Sequence, residues 1–109
     1  MADVNKLLFV GYETYVYVRE KFELKREEYN LLYSISVADF VRDDIKEVIA
    51  QVGLKEKKGI EIVRMLLAQG FILNVTKARA VSHGIFKVTA KGRHVFQQVD
   101  IFFTKMMRG

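Results

Sequence analysis

The chain has no cysteine among its 109 residues. Disulfide bridges, thiolate zinc sites and thiol nucleophiles are excluded together, and a reducing compartment suits such a composition. Histidine is scarce too: His83 and His94 are the two present, and neither has a set of potential ligands beside it in sequence. The acids Asp39, Asp43 and Asp44 lack the alternating oxygen ligands, central glycine and closing glutamate of a calcium loop, so they read as helix caps. There is no Ser/His/Asp arrangement and no phosphate-cradling glycine loop, which leaves catalysis without its usual groups. The expectation is a protein that is not an enzyme and holds no cofactor or metal. No apolar run of about 18 residues occurs. The first helical stretch carries Asp3, Lys6, Glu13 and Arg19, so neither a membrane span nor a secretory signal is supported and a cytoplasmic, membrane-free location is expected.

What the chain does have is apolar mass and an uneven charge. Half of its residues are hydrophobic, enough for the small core of one domain spanning 1–109. The net charge of +5 conceals two opposite halves. Residues 1–54 hold 7 Lys and Arg against 10 Asp and Glu, while residues 55–109 hold 11 against 3. A positive surface gains affinity for phosphate backbones by releasing condensed counterions, so the second half points to a nucleic-acid partner. A solvated basic face that serves solubility is the plainer alternative.

The stretch 44–89 carries the organisation. From Asp44 to Val52, apolar Ile45, Val48, Ile49 and Val52 recur at helical spacing, and Asp44 with Glu47 forms a capping box. Gly53 supplies a left-handed turn, and a second helix over 54–69 presents Gly59, Ile62, Val63 and Leu66 to the core. Gly59 costs about 1 kcal/mol relative to alanine in a helix, which predicts a close helix crossing there. Two helices joined by a short glycine turn fit a helix-turn-helix unit, whose second member enters a DNA major groove. That second helix opens on Lys55, Lys57 and Lys58, where the macrodipole opposes them. Its outer face continues through Glu61 and Arg64, with Ile60 at the margin. Glu61 either accepts from a cytosine amino group or pairs with Lys57 or Arg64, the pairing being the simpler reading.

Phe71–Val75 and Ile85–Thr89 are rich in strand formers, so the residues between them make a hairpin wing over 76–84. Lys77, Arg79, His83 and Lys87 make it basic, and Arg79 between alanines suits a minor groove. His83 reads equally as a plain surface residue. Phe40-Val41 offers a weak third pairing.

Three further helices complete a mainly α fold with a small β-hairpin: five helices and a two- to three-stranded wing, a winged helix-turn-helix. Asp3–Phe22 has a stripe through Val4, Leu7, Leu8, Gly11, Tyr15, Val18 and Phe22. Phe9, Val10, Tyr12, Val16 and Tyr17 fall outside that stripe, leaving a second apolar face to cover. Leu24–Ala38 is the second helix, with Tyr29, Leu32, Ile35 and Ser36 roughly on one side, Arg26, Glu27, Asn30 and Ser34 mostly on the other, and Lys25 a poor cap. Thr89 caps the last helix, 90–108, whose stripe includes Val95, Phe96, Val99, Phe102, Phe103 and Met106. Helices 1–22 and 90–108 are expected to form a homodimer interface through Leu8, Tyr12, Tyr15, Val99, Phe102, Phe103 and Met106. The alternative cover for the first helix is the last helix of the same chain.

Four phrases now stand in order and near register: Leu24 to Ile35, Ile45 to Leu54, Leu66-Leu67-Ala68-Gln69-Gly70-Phe71-Ile72, and Val88-Thr89-Ala90-Lys91-Gly92-Arg93. Over Leu24 to Phe103 the chain resembles the MarR-type winged-helix regulators. Its shortness, with a single helix after the wing, is similar to the compact SarA-like branch. The resemblance implies a homodimer on a pseudo-palindromic DNA site, helix 54–69 in the major groove and the wing on the minor groove. It leaves open whether a small-molecule effector acts. Two departures stand out. Where such wings carry an Asp-x-Arg pair, this chain has Val81, Ser82 and His83 with Arg79 displaced to the tip. Lys55 and Lys57 replace the hydroxyl residues that open the recognition helix, moving the expected contact from hydroxyl hydrogen bonds to charge. A reading of another class uses the same scaffold to hold a protein partner within a larger assembly or mobile element, without specific DNA binding.

Overall fold

Two glycines in left-handed backbone set the frame of the central unit. Gly53 (φ 84°) and Gly70 (φ 80°) end helices in the same way. The Leu54 N–H donates to the Ile49 carbonyl and the Gly53 N–H to that of Ala50, while Phe71 donates to Leu66 and Gly70 to Leu67. Each is a Schellman exit, in which the last orphan carbonyls find donors and an apolar residue just past the turn folds back on the helix. The helices they end are α3 (Ile45–Val52) and α4 (Glu56–Ala68).

The computed structural model describes residues 4–38, 45–76, 81 and 84–108. Before the central unit come α1 (Val4–Phe22) and α2 (Arg26–Ala38); after it come β1 (Ile72–Asn74), β2 (Phe86–Val88) and α5 (Ala90–Arg108). The expected five helices are present. Helix α1 ends on Glu23 at φ 58°, whose N–H donates to the Arg19 carbonyl at 3.0 Å, a left-handed cap without glycine. Lys25 is a poor side-chain cap for α2, and Glu28 compensates: its carboxylate accepts the Lys25 N–H at 2.7 Å, half of a capping box. Asp44, the other expected cap, and Phe40-Val41 lie outside the described residues.

The wing is a two-stranded antiparallel sheet with Ile72 opposite Val88, Leu73 opposite Lys87 and Asn74 opposite Phe86; the upper count of three strands is corrected to two among the described residues. Ile72, Phe86 and Val88 point inward, whereas Leu73 and Lys87 face solvent, the alternation a half-covered hairpin needs. Past Asn74 the Val75 N–H still donates to the Ile85 carbonyl at 3.0 Å, while the Asn74 side chain accepts from the Thr76 N–H and hydroxyl, a local turn in which side-chain bonds take over from the ladder.

The core joins every element. Leu31, Leu32 and Ile35 of α2 meet Ile45, Val48 and Ile49 of α3, Ile62, Val63 and Leu66 of α4, the hairpin side chains, Val18 of α1 and Val95 of α5. Each such burial stabilises by about 1.5–3 kcal/mol. Gly59 sits where an added Cβ would come within 2.7 Å of the Ile49 side chain, so the predicted close crossing is the α3–α4 contact. At Gly92 the obstacle is backbone: its Cβ would fall 2.5 Å from the Phe71 carbonyl oxygen. The stripe expected of α4 is the one that is buried. In the part of α1 whose side chains are described, Thr14 is buried with Val18, a polar side chain the apolar periodicity passes over.

Candidate nucleic-acid interface

With Gly59, Ile62, Val63 and Leu66 turned inward, α4 presents Lys57, Lys58, Glu61 and Arg64 to solvent. Lys55 precedes the helix in extended backbone (φ −68°, ψ 146°) and makes no side-chain cap. The N–H groups of the first turn therefore stand uncapped beside three lysines, and the helix dipole adds to their positive field. Glu56 faces the other way in charge, with an oxygen 3.5 Å from Lys46 Nζ of α3. This is the ion pair within reach among the described residues, so the simpler pairing expected of Glu61 with Lys57 or Arg64 is not formed. An exposed pair at that spacing gains only a few tenths of a kcal/mol, too little to hold two long side chains in one geometry. Glu56, Lys57, Ile60, Glu61 and Arg64 line an open concavity of about 440 Å³. Ile60 is thus part of this outer face, half-buried at its floor.

The hairpin stands next to α4 in the chain and is tied to it through α5. Thr89 donates its hydroxyl to the Gly70 carbonyl at 2.6 Å and accepts the Gly92 N–H at 3.2 Å. One side chain thereby caps α5 and fixes the exit of α4. Lys91 Nζ reaches the Gln69 carbonyl at 2.7 Å and lies 4.6 Å from the centre of the Phe71 ring. Lys87 is exposed on β2. The candidate wing residues Lys77, Arg79 and His83 lie outside the described residues. Among the described residues no cluster of His, Asp and Glu is able to hold a metal ion, and no helix is long and apolar enough to cross a membrane.

A helix pair with a glycine turn, a third helix packed behind it and a two-stranded hairpin leading into a long last helix is a specific topology. It occurs in solved structures of bacterial regulators. A MepR variant from Staphylococcus aureus, bound to an oligodeoxyribonucleotide, superposes with a TM-score of 0.77 over 98% of this chain and 81% of that one, at 12% identity. The regulator Tm0710 from Thermotoga maritima gives 0.75 over 96% and 72%, at 17% identity. The MarR repressor from Listeria monocytogenes gives 0.76 over 94% and 70%, at 10% identity. The chain has the MarR-type winged-helix fold. No protein-family model matches the sequence, and no curated protein does either, as expected where the pattern of burial persists while the residues themselves have changed.

In this MarR-type fold the two long helices lie against each other. Tyr17 of α1 stacks on Phe102 of α5 with ring centres 4.4 Å apart and planes 9° from parallel. Phe22 meets His94 edge-on at 6.1 Å. Since the lower-numbered α1 ring meets the higher-numbered α5 ring, the helices run antiparallel. Part of the second apolar face of α1 is therefore covered from within the chain. Tyr15 is engaged as well, donating to Asn30 Oδ1 at 3.0 Å and meeting Tyr29 edge-on at 6.2 Å. Of the other residues expected at an interface, Tyr12 is 66% exposed. Val99, Phe102, Phe103 and Met106 are half-buried, and the side chain of Leu8 lies outside those described. Three cations absent from the expected set, Arg19, Lys25 and Arg26, come together with Lys58 around a second concavity. Averaging charge over residues 1–54 hid them. Their one local signal was Lys25-Arg26 at a helix start, the same unfavourable placement that singled out the lysines of α4.

Proposed function

We propose that the protein is a homodimeric DNA-binding regulator of transcription, acting in the cytoplasm without cofactor or catalysis. Helix α4 enters the major groove and the basic wing 76–84 lies along the minor groove or backbone. The observation that carries this reading is the solvent face of α4: Lys57, Lys58 and Arg64 beside an uncapped helix start, with Lys55 ahead of it. Cations placed against the local dipole have no role in folding, and phosphate is the partner that both features attract. The fold supports the same reading, since a MepR variant with this topology was solved with an oligodeoxyribonucleotide. Helices 1–22 and 90–108 supply the interface of the pair, and 44–89 supplies the DNA contact.

Salt separates this reading from a protein-holding module. Affinity for duplex DNA should fall steeply as salt rises. Replacing Lys57, Lys58, Arg64 or Arg79 by alanine should weaken binding and flatten the log–log salt slope by about 0.9 for each phosphate no longer neutralised. Fluorescence anisotropy with a labelled duplex measures both. Unchanged affinity and slope in all four variants would overturn the assignment.

A further inference from the structure

The second concavity lies where the end of α1, the start of α2 and the first turn of α4 converge. It has a volume of about 440 Å³ and is lined by Arg19, Lys25, Arg26, Glu27 and Lys58. All five side chains are exposed. None of the four cations has a carboxylate within ion-pair distance among the described residues, where the ion pair formed is Lys46–Glu56. Glu27, the acid in the lining, forms no ion pair with them, and Glu28 accepts the Lys25 backbone N–H at 2.7 Å. Arg26 is held in place rather than free to swing away: its guanidinium carbon lies 4.9 Å from the Tyr15 ring centre, and that ring is anchored by its hydroxyl on Asn30. Four cations facing one another across a cleft with a single lining carboxylate repel, and the positive end of α2 adds to the repulsion. Folding gains nothing from the arrangement. A polyanion laid across it would relieve it.

Lys58 identifies which polyanion. It belongs to the exposed first turn of α4 beside Lys57, and it also lines this cleft, so the first turn of α4 contributes a cation to each of the two surfaces. We propose that Arg19, Lys25, Arg26 and Lys58 form a second contact for the phosphate backbone of duplex DNA, reached by a strand that passes beyond the groove occupied by α4. The inference rests on the DNA-binding reading above and adds a site to it. Such contacts position a protein on the duplex without reading bases. The site therefore strengthens binding equally on every sequence.

The test uses the full chain, a labelled duplex of mixed sequence and a salt titration. Arg19→Gln with Lys25→Gln should weaken binding and make the log–log salt slope shallower by about 2. Arg26 is left in place because it braces Tyr15. Arg19→Lys with Lys25→Arg should keep the original slope, since charge rather than shape is required. Lys105→Gln with Arg108→Gln removes the same net charge from the far end of α5 and should leave the slope unchanged. The inference is overturned if the cleft pair behaves like the wild type, or if the α5 pair flattens the slope as much. If Lys57→Ala and Arg64→Ala flatten the slope while the cleft pair does not, only the second contact fails. If neither set has an effect, the DNA-binding reading fails with it.

Discussion

Tyr29 shows how much one side chain in this fold depends on where three helices meet. It is half-buried, edge-on to Tyr15 at 6.2 Å and to Phe96 of α5 at 6.1 Å. Burial pushes its hydroxyl pKa up to about 12, and the neighbouring Tyr33 and Tyr15 hydroxyls push the same way. In the unfolded chain a tyrosine loses its proton near pH 10. Between these two values the unfolded state binds fewer protons than the folded one, so stability falls as pH rises. The contribution of Tyr29 is complete below about pH 10 and is lost as pH climbs through about 12. Urea unfolding at stepped alkaline pH should show the midpoint dropping across that window. In Tyr29→Phe, which keeps the ring contacts, the drop should be smaller. Identical declines in the two proteins would remove Tyr29 as a cause.

Between elements, contact distance decides what a substitution costs. Alanine at position 59 would gain about 1 kcal/mol of helix propensity over glycine, but its Cβ would meet the buried Ile49 side chain within 2.7 Å. Overpacking of that kind costs about 1–3 kcal/mol, so a net loss of about 1 kcal/mol is expected. At position 92 the obstacle is the Phe71 carbonyl oxygen at 2.5 Å, with Val88 Cγ1 at the same distance. That carbonyl already accepts the Thr89 N–H at 3.0 Å. A backbone atom held by a hydrogen bond yields less readily than a side chain, so Gly92→Ala should cost about 3 kcal/mol and exceed Gly59→Ala in denaturant unfolding. The reverse order would contradict the packing described. Position 59 was legible in the sequence, because a glycine inside an amphipathic helix needs a reason. So were the α4 stripe, the Gly53 turn and the paired strands, all of which are encoded by near neighbours in sequence. Cover of α1 by α5 stood as the alternative to a second subunit, but its antiparallel direction, the burial of Thr14 and the cleft joining Arg19 to Lys58 were not legible. Each depends on residues far apart in sequence, and neither local periodicity nor charge averaged over half a chain registers such neighbours.

At the scale of the whole molecule, shape and surface both leave room for a partner. The chain extends 47 × 24 × 23 Å with a radius of gyration of 14.6 Å, above the value of about 13 Å expected for a compact domain of this length. A 19-residue helix is about 28 Å long, and α1 and α5 run antiparallel as a pair. Tyr12 is 66% exposed and Ile101 48% exposed on these two helices, and Phe103 and Met106 are half-buried. Tyr17 and Phe102 already cover each other, so what remains for a partner is the apolar surface beyond that contact rather than all of α1. A second copy offers the matching surface, since a twofold axis brings each exposed residue against an equivalent patch. Tyr12→Asp and Ile101→Asp change exposed positions and should leave the monomer folded while opposing that contact. Light scattering at micromolar concentration should then read a dimer for the wild type and a monomer for the double variant. On a duplex carrying two half-sites the double variant should lose affinity on the order of a hundredfold, because the second contact is no longer intramolecular. On a duplex too short for two half-sites the two proteins should bind alike. A wild-type monomer, or equal losses on both duplexes, would remove the paired geometry from the proposed mode of DNA binding.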